Sequence, residues 1–162
     1  IGVGLIESAI NLTKLCLFDK PEYLLFIGSA GSYGNFEIFD IVESKRAANI
    51  ELGFLTQSAY TPLDNVLESD NNFVKNDTIV NSSNYISTNE KLSKEFNDYG
   101  VGIENMEFFS ILSVARQFEI PVAGIFVITN KTNDNAHEDF MKNHKEAMEK
   151  LTKYLLDKNI IK

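Results

Sequence analysis

Apolar and polar positions along the chain alternate between two periods. Gly2-Val3-Gly4 leads into Leu5–Phe18, where Ile6, Ala9, Ile10, Thr13, Cys16 and Leu17 recur at helical spacing. After Pro21, Tyr23–Ile27 is a continuous apolar run, as expected of a strand buried on both faces. Gly28-Ser29-Ala30-Gly31-Ser32-Tyr33-Gly34-Asn35 follows and reads as a turn. Glu37–Glu43 predicts a strand, and Leu55–Asn76 a loop holding one short strand. A further strand is predicted over Asp77–Asn81. Ser87-Thr88-Asn89-Glu90 offers a cap for a helix over Lys91–Asn97. Gly102-Ile103-Glu104 reads as short and extended, Glu107–Phe118 as an apolar helix, and Pro121–Thr129 as the strongest strand. Asn130–His137 is a polar loop. The final helix, Glu138–Leu156, sets Phe140, Ala147, Met148, Leu151 and Leu155 against a lysine-bearing face.

Apolar strands alternating with helices predict one three-layer α/β/α domain with a mixed central sheet, spanning residues 1–162. Ligands in such sheets bind beyond the carboxyl ends of strands. Attention therefore falls on the segments after Ile27, Asn81, Ile103 and Thr129.

Charge narrows the partners. The chain carries 15 Lys+Arg and 23 Asp+Glu, net −8. Six lysines lie in the last 25 residues, and no basic stripe is formed, which argues against nucleic acid. No apolar run reaches membrane-spanning length. The single cysteine, Cys16, cannot form an internal disulfide and suits a reducing, cytoplasmic setting as a small core residue. Neither His137 nor His144 belongs to a cluster with metal-ligand spacing, so no metal is expected.

Four segments carry candidate chemistry. The small residues of Gly28–Asn35 would let backbone N–H groups approach an anion or a sugar, or simply make a turn. No Lys follows to make a phosphate loop, and Ala30 stands where a Gly-x-Ser-x-Gly elbow needs glycine. Gly2-Val3-Gly4 would open an anion site at a helix N-terminus, or pack closely on a strand. In Glu104-Asn105-Met106-Glu107, the carboxylates would cap a helix. Alternatively a carboxylate and the Met thioether would hold a sugar. Asn130, after Thr129, offers an amide to the edge of a heterocycle, or makes an Asx-turn.

In this order the pieces resemble one family. Gly2-Val3-Gly4 opens a helix, Gly28-Ser29-Ala30-Gly31 follows an apolar strand, and Phe39-Asp40-Ile41-Val42 comes next. Asn105-Met106-Glu107 opens a helix, and Ile128-Thr129-Asn130-Lys131 ends a strand before His137. This is similar to the purine nucleoside phosphorylase and methylthioadenosine/S-adenosylhomocysteine nucleosidase superfamily.

The resemblance implies a nucleoside phosphorylase-like fold whose first strand would lie upstream of Ile1. It implies a substrate site of Ser29, Ala30, Gly31, Tyr85, Ile86, Met106, Glu107 and Asn130. Ser29 would lie near the anion or attacking water. Tyr85 would stack on the base and Ile86 contact it through backbone. Met106 and Glu107 would hold the ribose, with Glu107 on its 2′- and 3′-hydroxyls. Asn130 would face N7, and Asn130 and Glu107 would be catalytic. No cofactor is implied beyond phosphate as a co-substrate.

Two departures matter. In the nucleosidases and hexameric phosphorylases the residue at position 130 is an aspartate that donates a proton to N7. The Asn130 found here resembles phosphorylases of 6-oxopurines. Hexameric phosphorylases also place an arginine where this chain has Phe26. The resulting expectation is cleavage of a 6-oxopurine nucleoside, leaning to phosphorolysis. The alternatives are a hydrolytic nucleosidase and a catalytically degenerate nucleoside-binding homologue. A flavodoxin-like domain would leave Met106-Glu107 and Thr129-Asn130 unexplained. The resemblance also implies a homo-oligomer, with Asn49–Tyr60 (Leu52, Phe54, Leu55) as interface or core.

Overall fold

The computed structural model describes residues 1–70, 73–74 and 78–162. Asp77, the expected start of one strand, and residues 71, 72, 75 and 76 of the expected loop lie outside the described residues. The elements run α1 (Gly4–Phe18), β1 (Leu24–Ser32), β2 (Ile41–Ser44), β3 (Arg46–Ala48), α2 (Leu52–Leu55), β4 (Val66–Glu68), β5 (Ile79–Asn81), α3 (Glu90–Asp98), β6 (Val101–Glu104), α4 (Phe108–Gln117), β7 (Val122–Lys131) and α5 (Ala136–Asp157). Seven strands form one mixed sheet in the order β2-β7-β1-β6-β5-β3-β4.

The sheet is assembled from two opposed parallel sets. β1 runs parallel to β7, while β3, β5 and β6 run parallel to one another. The sets meet where β1 and β6 pair antiparallel over two residues, Gly31 with Glu104 and Ser32 with Ile103. The carboxyl ends of β1, β6 and β7 therefore converge at mid-sheet, which is where the ligand-binding rule for α/β sheets directs attention.

Helices cover both faces. On one, Leu12 and Cys16 of α1 join Phe108, Ile111, Leu112 and Ala115 of α4 against Ala30, Val80, Ile103 and Phe126. On the other, Ala147, Leu151 and Leu155 of α5 pack on Ile125 and Val127. The ring of Tyr33 stacks on Phe96 of α3, with centroids 4.4 Å apart, in a smaller cluster with Ile50 and Val101.

Several expectations shift. The inward row of α1 is Gly4, Ser8, Leu12 and Cys16, whereas Ile6, Ile10 and Leu17 are exposed. The small residues win the inward face because they bring α1 close to α4: Ser110 Oγ donates to the Leu5 carbonyl at 2.7 Å. The expected glycine turn is mostly strand, since β1 runs through Ser32 on its pairing with β7. The first half of β1 is only half-buried and Ile27 is exposed, because β6 flanks β1 only at Gly31 and Ser32. The strand expected over Glu37–Glu43 begins at Ile41. Before it, Phe39 has φ 75° and Asp40 accepts from the Glu37 N–H at 2.8 Å, which makes a turn. β3 and α2 went unpredicted. In the Asn49–Tyr60 segment, Phe54 and Leu55 pack beside Ile50, while Leu52 is exposed. As expected, α3 is capped by Asn89, whose side chain accepts from the Leu92 N–H at 3.1 Å.

Candidate active site

A bulge aims the most informative side chain. β1 and β7 keep a regular parallel register up to Ala30–Ile128, and the next pair is Gly31–Asn130. Thr129 is the extra residue, and its insertion sets Asn130 opposite Gly31. Thr129 Oγ1 lies 2.9 Å from Asn130 Oδ1 and 3.3 Å from the Ala30 carbonyl. Asn130 Nδ2 donates to the Lys131 carbonyl at 3.1 Å. That carbonyl only accepts, so it fixes which end of the amide is nitrogen. The Thr129 hydroxyl holds the oxygen end, and one Asn130 N–H is left to serve the cavity.

The second wall is the turn from β6 to α4. Asn105, not a glutamate, caps α4: its Oδ1 accepts from the N–H groups of Glu107 and Phe108 at 2.9 and 3.0 Å. Its Nδ2 donates to the Ser29 carbonyl at 3.0 Å and ties the turn to β1. Freed from its own helix, Glu107 reaches α1. Its Oε1 accepts from the Gly4 N–H at 2.9 Å, and Asn84 Oδ1 accepts from the Leu5 N–H at 2.9 Å. The anion at the Gly2-Val3-Gly4 helix start is thus a side chain of the protein itself. A Cβ on Gly4, where φ is +80°, would fall 2.7 Å from Asn84 Oδ1.

Glu104 hangs from the end of β6. Its two oxygens accept from the Tyr33 hydroxyl at 2.9 Å and the Ser87 N–H at 3.0 Å. Burial pushes the Glu104 carboxyl above the usual carboxylate range. Burial, then the nearby Glu104 charge, pushes the Tyr33 phenol up too, so it stays a neutral donor.

These walls enclose a cavity of about 370 Å³ whose lining includes Ser29, Ala30, Gly31, Tyr85, Ile86, Met106, Glu107 and Asn130. All eight residues of the substrate site that the resemblance implies line this one space, whereas Gly2, Gly4 and residues 32–35 do not. Tyr85 and Ile86 sit at its rim, 79% and 51% exposed, whereas Asn130 is 6% exposed at its floor. His137, the second residue of α5, also lines it, and His144 is exposed on the same helix. The sequence reading missed the inward role of Glu104, which it weighed only as part of a four-residue turn, and missed Tyr33 altogether. The Gly31–Glu104 pairing that brings Glu104 to the cavity is a long-range contact with no local signature. Among the described lining residues, two are carboxylates and none is Lys or Arg.

Fold and cavity together define an α/β protein with a cavity at the meeting point of its strand ends. The model of the phosphorylase superfamily matches residues 74–158, just over half of the chain. The chain belongs to the phosphorylase superfamily. It is 28% identical to the 5′-methylthioadenosine/S-adenosylhomocysteine nucleosidase of Maridesulfovibrio salexigens, over 85% of this chain and 67% of that protein. The enzyme of the same name from Bacillus subtilis is 24% identical over 86% of this chain and 69% of its own length. The fold is that of the Helicobacter pylori futalosine hydrolase, at TM-score 0.79 and 16% identity over 96% of this chain and 76% of that one. An H. pylori MTAN mutant with 5′-methylthioadenosine in the active site aligns at TM-score 0.78 and 17% identity, over 96% of this chain and 77% of that one.

Proposed function

We propose that this protein cleaves the N-glycosidic bond of a purine nucleoside with water as the nucleophile. The observation that carries the reading is the single cavity in which Met106 and Glu107 stand together with Asn130, the Ser29–Gly31 strand end and the Tyr85–Ile86 rim. In this reading Met106 packs on the ribose face and Glu107 accepts from the 2′- and 3′-hydroxyls. As the C1′–N9 bond breaks, its electron pair passes to the base and positive charge builds on the ribosyl ring. The Glu107 carboxylate stabilises that cation. The free Asn130 N–H donates to N7 and stabilises the charge on the departing purine. Water adds to C1′ from the Ser29 side, and its released proton reaches the base through solvent.

Water is favoured over phosphate on two grounds. A phosphate dianion needs strong cationic donors, and the described lining offers two carboxylates instead. The relatives that match the chain carry the names of nucleosidases. Both weigh against the phosphorolysis that the setting of Asn130 suggests in the sequence.

Incubation with inosine, adenosine and 5′-methylthioadenosine, each with and without phosphate, tests the reading. Free base and free ribose are expected in equal amounts at a rate indifferent to phosphate. Sugar 1-phosphate, formed only when phosphate is present, would restore phosphorolysis. A second reading, a nucleoside-binding protein without turnover, is favoured by Asn130 itself, because an amide has no proton to give to N7. Tight nucleoside binding with no base released would establish it.

A further inference from the structure

Glu104 faces the cavity, yet the proposed reaction leaves it unused. Its place is defined by Gly31, which pairs with Glu104 on one side and Asn130 on the other. A Cβ on Gly31 would lie 3.0 Å from Asn130 Nδ2 and 3.2 Å from Glu104 Cγ. The absent side chain lets the two neighbours close in from the flanking strands, and both line the cavity. One planar ring lying in the cavity over Gly31 would meet both.

The chemistry of the two walls differs. Asn130 presents an N–H and calls for an acceptor. Glu104 presents acceptors: one oxygen takes the Tyr33 hydroxyl and the other the Ser87 N–H, and the Ser87 hydroxyl bonds the same carboxyl. Each oxygen of a carboxylate can accept a second bond, so of its about four acceptor sites one is left. Tyr33 is 3% exposed and stacked on Phe96, and Ser87 directly follows the Tyr85–Ile86 rim, so the carboxylate is held in place. Glu107, by contrast, is turned toward α1 and the sugar end of the cavity. A purine offers N7 as the acceptor for Asn130. The neighbouring edge of its six-membered ring offers a donor only if it carries one, either a 6-amino group or the N1–H of a 6-oxopurine.

We propose that Glu104 is a specificity-determining residue that accepts a hydrogen bond from an N–H on the six-membered ring of the base and so selects bases that carry one. The inference rests on the reading above that Asn130 faces N7. Its test uses binding of free bases, which does not require bond cleavage.

Calorimetry with hypoxanthine, adenine and unsubstituted purine compares three bases with a common five-membered ring. Purine lacks both the 6-amino group and N1–H. It is expected to bind about ten- to a hundredfold more weakly than at least one of the others, as for loss of a hydrogen bond to a charged group. Preference for hypoxanthine identifies N1–H as the donor, and preference for adenine identifies the amine. Glu104→Gln, neutral and of the same shape, is expected to narrow the difference, and Glu104→Met to abolish it. Retained melting transitions show that both variants fold. Equal binding of all three bases, no binding of any, or discrimination undiminished in Glu104→Gln and Glu104→Met overturns the assignment. Base selection without cleavage of any nucleoside would refute the proposed reaction and leave the role of Glu104 standing. Cleavage without base selection would do the reverse.

Discussion

The carboxylate of Glu107 bridges two helices, since it lies at the start of α4 yet accepts from the Gly4 N–H of α1 at 2.9 Å. One side chain thus serves as a cap for one helix and a candidate sugar acceptor in the cavity, and the two roles separate by mutation. Glu107→Gln keeps an oxygen for Gly4 and loses the charge. It should melt within a degree or two of the parent, while kcat/KM for nucleoside cleavage falls about a hundredfold or more. Glu107→Ala should lose the cap as well, at about 1 kcal/mol in urea unfolding. Full activity in Glu107→Gln would remove the residue from the reaction.

Gly31 tests the placement of Asn130 and Glu104. A Cβ there would press on Asn130 Nδ2 at 3.0 Å, Thr132 Cγ2 at 3.1 Å and Glu104 Cγ at 3.2 Å. Three simultaneous close approaches leave little room to relax in a buried strand. Gly31→Ala should cost about 1–3 kcal/mol of stability, measured by denaturant unfolding. Base binding should weaken far more than the stability loss explains, because the added methyl pushes Asn130 and Glu104 out of the positions in which they would meet the base. Unchanged base affinity would show that Asn130 and Glu104 do not hold the base.

The layered architecture was legible because strands and helices of this chain differ sharply in period: Val122–Thr129 and the α5 row Ala147, Leu151 and Leu155 lie where the pattern put them. What the pattern could not show was geometry set by pairing. The α1 face was misread because apolarity favours Ile6 and Ile10, whereas close helix packing favours Ser8. The first five residues of the Gly28–Asn35 turn were misread because glycine and serine look like turn residues until β7 supplies a partner strand. Likewise Glu104 looked like one carboxylate in a capping turn. Only the two-residue junction of β1 and β6 turns it toward the cavity, and no local sequence rule anticipates that junction.

Asn81 holds the floor of the neighbouring strand. Its side chain is 2% exposed and bonds both polar groups of the Ile50 backbone, accepting from N–H at 2.8 Å and donating to C=O at 3.1 Å. The Asn81 carbonyl in turn accepts from the Asn105 N–H at 2.9 Å, beside the site. Asn81→Leu would strand two buried backbone groups and should destabilise by about 2–3 kcal/mol. Asn81→Asp should be milder in acid, where the protonated carboxyl restores a donor, and worse at neutral pH. Equal stability of the two variants across that range would contradict the bonding pattern.

Glu104 also imprints on stability. Burial raises its carboxyl above the unfolded-state value, so the folded protein holds that proton to higher pH than the unfolded chain does. Its contribution is therefore fully present below the ordinary glutamate pKa and is lost as pH rises through the raised value. Between these points Glu104→Gln should flatten the fall of the melting temperature with pH. At neutral pH the variant should be at least as stable as the parent. A parent and variant with parallel profiles would mean that Glu104 titrates in the folded protein as it does in the unfolded chain.

Asn130→Asp asks whether the missing acid limits the reaction. At this position one carboxyl oxygen would take the bond from the Thr129 hydroxyl, now 2.9 Å from Asn130 Oδ1. The other would replace Nδ2, 3.1 Å from the Lys131 carbonyl. Two acceptors at that distance repel unless a proton lies between them, so the site favours the protonated acid. Rotation of the carboxyl O–H away from the Lys131 carbonyl turns that proton toward the cavity, where it can pass to N7 as the glycosidic bond breaks. General acid help is worth roughly 10²–10⁴ in rate. Asn130→Asp should therefore raise kcat toward that factor. It should also create a limb in the pH–rate profile that falls as pH rises past the pKa of the new acid. Asn130→Ala, with neither hydrogen bond nor proton, should fall below the parent. If Asn130→Asp leaves kcat and its pH profile unchanged, position 130 does not face the leaving base.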